Sequence, residues 1–254
     1  MTWAFRRQIT YVVILFVFFL GFGAMVSYPY LTKDPTCNDG KQNGTEVGVD
    51  CGGSCQLVCA SQVDKISVVW SRIFQVVPGR YNAVAYLENQ NPNTAVYKIK
   101  YKFRFADKDN IYLGQREGET YIPPAGNFAI FEPAIDMGNS VPVYTTFEFL
   151  EAPVWVKVAK EKTDLLELFV SDIVLEDPTT APHLSAKLSN DSLYTIPDVN
   201  IIAILYDELG NAYLNSLNGE TEAAINFTWP EPFLSTVVTK EIIPMYNIFN
   251  VKLR

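Results

Sequence analysis

Twenty-five consecutive residues, Gln8 through Thr32, carry no charge, and no other feature constrains this chain as strongly. Within them, Ile9–Tyr30 reads ITYVVILFVFFLGFGAMVSYPY. A helix rising about 1.5 Å per residue needs roughly 20 apolar residues to cross the hydrocarbon core of a bilayer. A helix also keeps its backbone N–H and C=O groups paired inside lipid. The run therefore predicts a lipid-bilayer partner through Ile9–Tyr30. Arg6 and Arg7 precede it, and no Asp or Glu does. Positive charge stays cytoplasmic, so the short N-terminus is expected inside and everything after residue 31 outside. Trp3, Tyr28 and Tyr30 then fall near the two interfaces, where aromatic rings settle. The rival reading is a cleaved secretory signal, whose apolar region usually runs about 7–15 residues and ends in a small-x-small site. Here the run is longer, and the bulky Met25-Val26-Ser27-Tyr28 follows Gly21-Phe22-Gly23-Ala24. Length and flanks favour an uncleaved, single-pass anchor in the cell membrane; both readings export the rest.

The exported part has the means to fold. Aromatic residues make up 13% of the chain and charged residues 19%, which argues against disorder. Apart from Arg6 and Arg7 it carries 18 cations against 28 anions, a net charge of −10. Nucleic acid is excluded as a partner, because it needs a basic footprint. His183 is the single histidine, which excludes histidine-rich metal catalysis, and no G-x-S-x-G elbow accompanies it. No cofactor is expected.

Cys37, Cys51, Cys55 and Cys59 are the only cysteines. An even number, closely spaced on the exported side, predicts two disulfides, in any of three pairings. Zinc is the alternative, but spacings of x13, x3 and x3 differ from paired C-x-x-C knuckles. The same stretch offers oxygen ligands for calcium: Asp39, Asn43, Glu46 and Asp50. A calcium loop begun at Asp39 puts Asn43 and Gly44 at its fifth and sixth positions, yet Lys41 at the third and Asp50 at the twelfth. Asp, Asn and Gly are also the ordinary residues of tight turns. Cys37, Asp39-Gly40, Asn43, Glu46, Val49-Asp50-Cys51-Gly52-Gly53 and Cys55 together resemble a cysteine motif, C-x-D-G-x-x-N-x-x-E-x-x-V-D-C-G-G-x-C, of bacterial envelope and secreted proteins. That resemblance implies export from a bacterium and no activity.

Beyond Ala60 the pattern is all-β, without a convincing helix. Runs rich in Val, Ile, Tyr and Phe alternate with Pro, Gly and Asn at short intervals, as in a β-sandwich. Strands are expected over Lys65–Val77, Tyr81–Asn89, Val96–Asp107, Ile111–Arg116, Phe128–Ile135 and Thr145–Phe149. The second half repeats this order. Ala85–Gly114 lines up with Ser185–Leu214: a strand, an Asn-rich turn, a long strand ending in Asp, then a polar turn. Such self-similarity predicts two tandem copies, with a boundary in Glu151–Asp164. The expected order is thus a stub and anchor (1–31), a disulfide-rich module (32–60), a first sandwich (61–158) and a second (159–254). The repeated strand ends, Phe103-Arg104-Phe105-Ala106-Asp107 and Ala203-Ile204-Leu205-Tyr206-Asp207, resemble the F-x-L-Y-D signature. That signature marks a family of small immunoglobulin-like β-sandwich domains on membrane-anchored bacterial and archaeal proteins. The first copy departs at Phe105 and Ala106, the second at Ala203. The resemblance implies a sandwich and no reaction; Asp107 and Asp207 are expected to close turns by accepting backbone hydrogen bonds.

Two strands suggest interaction surfaces. Along the first, Tyr97, Ile99, Tyr101, Phe103 and Phe105 alternate with Lys98, Lys100, Lys102 and Arg104, which puts four cations on one face. Like charges about 7 Å apart repel, so the stripe suggests an anionic envelope component as partner, against the plainer reading of a solvated face. Along the second, Val199, Ile201, Ala203 and Leu205 alternate with Ile202, Ile204 and Tyr206, so neither face is polar. Ile202 and Ile204 are then expected to be covered by the first domain or by a partner. Trp70, Trp155 and Trp229 are expected in sandwich cores, with an aromatic platform for sugar as the other possibility. The chain reads as a non-catalytic, membrane-anchored envelope protein for protein or envelope interaction. The alternatives are a ligand-binding accessory of a membrane complex, with a pocket between the two domains, and an envelope hydrolase using Glu117 with Glu119 or Asp207 with Glu208.

Overall fold

The computed structural model describes residues 3–31, 36–164, 166, 168–219, 224–230 and 232–253. Thr32, where the uncharged run ends, lies outside them. Two units are separable, Met1–Cys55 and Gln56–Arg254.

In the first unit, α1 (Trp3–Leu31) is one uninterrupted helix. Its stretch Phe5–Tyr28 is long and apolar enough to cross a membrane, and its side chains are exposed. At about 1.5 Å per residue the 29-residue helix is about 43 Å long. The cysteine segment that follows is irregular. Cys37 and Cys55 form a disulfide with their Cα atoms 5.6 Å apart. Cys51, and Cys59 at the start of the second unit, are disulfide-bonded too, and no thiol is free among the described residues. Glycine is obligatory at position 53: its φ is +55°, and a Cβ there would run into the Thr45 carbonyl.

Residues 56–254 build two β-sandwiches. The first pairs β1 (Ser67–Val77), β2 (Arg80–Asn89) and β5 (Gly126–Asp136) in the order β1-β2-β5. Facing it is a sheet of β3 (Thr94–Ala106), β4 (Tyr112–Ile122) and β6 (Tyr144–Phe149) in the order β4-β3-β6, with β7 (Trp155–Lys157) against the start of β3. The second sandwich sets β8 (Leu168–Glu176), β9 (His183–Asn190) and β13 (Ala224–Thr228), in the order β13-β9-β8, against β11 (Val199–Asp207), β12 (Ala212–Gly219) and β14 (Val237–Met245), in the order β12-β11-β14. A short pair, β10 (Tyr194–Thr195) with β15 (Lys252–Leu253), completes it. Every pairing among the described residues is antiparallel; short turns join the successive pairs β1–β2, β3–β4, β8–β9 and β11–β12, and the other pairings link strands farther apart in the chain. One five-residue helix, α2 (Lys160–Asp164), occupies the boundary where no helix was expected. Backbone bonds from Val58 N–H to the Trp155 carbonyl and from Lys157 N–H to the Gln56 carbonyl tie Gln56–Val58 to β7.

The burial pattern along β2 and β11 departs from the alternation of a half-wet strand: five consecutive residues are buried in each. On one face of β11, Val199, Ile201, Ala203 and Leu205 fill the core of the second sandwich. On the other, Ile202 and Ile204 join a different cluster, together with Ala212, Leu214, Ile243 and Met245. That cluster contains the core of the first sandwich and reaches Val84 and Tyr86 of β2. Sheet β1-β2-β5 therefore packs face to face on sheet β12-β11-β14, and the two sandwiches share apolar surface rather than hanging apart.

Candidate functional site

The sheet-to-sheet junction concentrates most of the unusual chemistry. The Trp70 ring stacks on Tyr86 at 5.5 Å, and the Arg72 guanidinium lies 5.3 Å from the Trp70 ring. Arg72 Nη1 also donates to the Gly210 carbonyl at 3.1 Å. Tyr86 donates its phenol proton to Glu241 Oε1 at 2.6 Å. Burial, reinforced by that carboxylate, pushes the Tyr86 phenol far above its ordinary range; burial also raises Tyr206. Inside the first sandwich, Glu132 is buried between Tyr101, which donates to its Oε1 at 2.6 Å, and Arg116, whose Nε lies 3.1 Å from Oε2. A buried carboxylate with two donors is a satisfied structural pair.

Two clefts open where the sandwiches meet. One, of about 620 Å³, is walled by Pro92, Pro123 and Pro124, by Lys160 and Asp164 of α2, and by Met245 and Tyr246. The other, of about 470 Å³, lies between β1 and the segment after β13. Phe74 and Gln75 of β1 and Asn82 of β2 form one wall; Tyr213, Leu214 and Asn215 of β12, with Trp229, Phe233 and Leu234, form the other. The second wall is held in place. Trp229 Nε1 donates to the Leu214 carbonyl at 3.2 Å, Leu234 N–H donates to the Tyr213 hydroxyl at 3.2 Å, and Phe233 stacks on Tyr213 at 4.1 Å and meets Trp229 edge-on at 5.3 Å. Pro230 and Pro232 stiffen the intervening loop. Both volumes fall in the ordinary range of ligand pockets, about 300–1,000 Å³.

The sequence-predicted residues are distributed as follows. Asp107 and Asp207 occupy matching turns. Asp107 Oδ1 accepts from the amides of Asp109 and Ile111, and Asp207 Oδ1 from those of Leu209 and Asn211, all within 2.9 Å. The four calcium candidates close the cysteine segment on itself. Asp50 accepts from the amides of Asp39 and Gly40, Asp39 from Lys41 N–H and Asn43 Nδ2, and Glu46 from the amides of Asn43 and Asp50. The Sγ atoms of Cys37 and Cys55 lie close to Glu46, but both are committed to the disulfide.

The cationic stripe needs correcting. Lys98 pairs with Glu119 at 2.7 Å, and Lys102 and Arg104 both pair with Glu148, at 3.1 and 3.2 Å. The register sets Lys100 opposite Glu119 and Lys102 between Glu117 and Glu148, so adjacent strands supply the counter-charges and the repulsion argument fails. Tyr97 is exposed, not in the core, because a register shift between Val96 and Ile99 turns it outward. Ile202 and Ile204, 1% and 0% exposed, are covered by the first sandwich and offer nothing to a separate partner.

Glu117 and Glu119 lie on the open face of β4, and Asp207 and Glu208 at a turn; neither pair lines either cleft. Of the tryptophans, Trp155 is core, Trp70 belongs to the junction, and Trp229 alone lines a cleft. Sequence reasoning missed Phe74, Tyr213 and Phe233 as companions of Trp229. The visible signal was Trp229-Pro230-Glu231-Pro232-Phe233, aromatics spaced by prolines outside any strand pattern; Glu231 lies outside the described residues.

No protein-family model matches this chain, and no curated protein matches it. Among solved structures, red sea bream transglutaminase is similar to it at 8% identity, over 72% of this chain and 31% of that one, with a TM-score of 0.25. This chain thus spans about a third of that protein's length, and a likeness this slight carries no argument about activity.

Proposed function

We propose that this is a single-pass, N-terminally anchored protein with a non-catalytic, extracytoplasmic ligand-binding ectodomain built from two tandem immunoglobulin-like sandwiches of the F-x-L-Y-D type. The observation that carries the binding reading is the aromatic cleft at the junction of the two sandwiches: its walls come from both halves, and its rings are held by hydrogen bonds before any ligand arrives. Support for tandem copies comes from the matching Asp107 and Asp207 turns and from Asn89 and Asn190. Each is a buried asparagine at a strand end, whose side-chain amide donates to a carbonyl a few residues on, Thr94 and Tyr194 respectively. Arg6 and Arg7 before the apolar helix support a cytoplasmic N-terminus. The cysteine pairs suit an oxidising, envelope-side compartment.

Two readouts on one cell preparation test this. A cysteine appended after Arg254 is expected to react with a membrane-impermeant thiol reagent before the inner membrane is lysed; reaction only after lysis overturns the orientation. A photo-crosslinking residue at Leu234, on the cleft rim, is expected to capture a defined species that the same residue at Glu117, on the open face of β4, does not. Equal capture from both positions, or none from Leu234, overturns the cleft as the binding site.

A further inference from the structure

Resting on that reading, we infer that the cleft between β1 and the Trp229–Leu234 segment binds an uncharged oligosaccharide, seating a pyranose ring against its aromatic wall. The charge balance of the walls selects the ligand class. At the chain's overall 19% charged residues, fourteen lining residues would carry two or three charges; the fourteen described here carry none. The other cleft carries Lys160 and Asp164, so a lining without charge among the described residues is particular to this one. Tyr213 is the one titratable group among the described lining residues, and its hydroxyl already accepts the Leu234 amide. A charged ligand would lose its hydration without gaining a counter-ion among the described lining residues.

What the cleft offers instead is rings and amides. Trp229, Tyr213 and Phe74 are half-buried, so each keeps part of a ring accessible beside the cavity. Apolar ring faces match the C–H faces of a sugar, and amide side chains match its hydroxyls, since each amide both donates and accepts. Asn82 Oδ1 is taken by the Ala134 amide, which orients the side chain, and its Nδ2 donors have no partner among the described residues. Gln75 is exposed on β1, with no hydrogen-bond partner for its side chain among the described residues. A purely apolar ligand would leave these amides unpaired on desolvation. Fixed rings lower the ordering cost of binding.

Saturation-transfer NMR on the full chain in nanodiscs, with maltotriose, cellotriose and chitotriose as probes and trigalacturonate as the charged control, tests the inference. The expected result is transfer to ring protons of at least one neutral trisaccharide and none to trigalacturonate. Trp229→Ala should abolish that transfer. Gln75→Trp, which fills the cleft from an exposed position without touching either core, should abolish it with an unchanged melting curve, so loss of folding cannot explain both results. No transfer to any neutral probe, equal transfer to trigalacturonate, or transfer that survives Gln75→Trp overturns the proposal. If crosslinking from Leu234 captures a protein while the sugars give no transfer, the cleft remains the binding site and only the ligand class falls.

Discussion

At the scale of single residues, the aspartates at the strand ends act on the protein's own backbone. Asp207 is 3% exposed and holds the turn after β11: Oδ1 takes two amides, and Oδ2 accepts from Asn211 Nδ2 at 2.9 Å. Hydrogen bonding by Asn211 keeps its carboxyl below the usual range, outweighing the opposing effect of burial. A lowered folded-state value means the ionised form is worth more in the fold than in the unfolded chain. That stability is complete above the unfolded value of about 4 and is lost as pH falls through the folded one. Asp207→Asn keeps an oxygen for the amides but cannot accept from Asn211. The variant should therefore melt below wild type at neutral pH, and the gap should close as pH drops below about 4; melting temperature across that range checks it. A gap independent of pH would mean that the charge is irrelevant to the turn.

Elements show how one alternating pattern leads to opposite outcomes. On β3 the outward face is wet, and its cations meet carboxylates across the sheet. Lys102 is half-buried, with its Nζ against Glu148, whereas the Lys100 side chain is exposed. Lys102→Glu sets a third carboxylate between Glu117 and Glu148 and should lower the melting temperature clearly. Lys100→Glu should lower it less, and thermal melts of the two variants compare them directly. On β11 both faces are dry. Ile204→Ala removes buried methylenes at the junction and should cost about 2–5 kcal/mol by chemical denaturation. Ile204→Lys should prevent folding or cause aggregation, since its charge has no route to water.

For the molecule as a whole, the junction makes two sandwiches into one folding unit. One apolar cluster runs from β3 through β2 to β11 and β14, and residues 56–254 separate as a single body. A shared core couples the halves, so residues 56–254 should unfold in one cooperative transition. Calorimetric and van't Hoff enthalpies should agree. Two resolved transitions, with Ile204→Ala shifting only the later half, would show the halves to be independent. Coupling of this kind also sustains the cleft, because a pocket walled by two loosely tethered domains would not keep its rings in register.

The sequence by itself determined whatever depends on neighbours along the chain. A run of uncharged residues makes the helix, because backbone pairing within it needs no tertiary partner. Period-two alternation and Pro, Gly and Asn punctuation placed the first six strands within a few residues at their starts, and the Asp-led turns followed from side-chain-to-backbone bonds two and four residues away. The dry second face of β11 was also legible, since Ile202 and Ile204 are apolar whatever covers them. Only tertiary structure decided what covers it. Cross-strand register, fixed by residues far apart in sequence, brought Glu119 and Glu148 to the lysines and dissolved an apparent cationic surface. The aromatic cleft was hidden for the same reason: Phe74 and Trp229 are 155 positions apart, and nothing local to either encodes that they line one cavity.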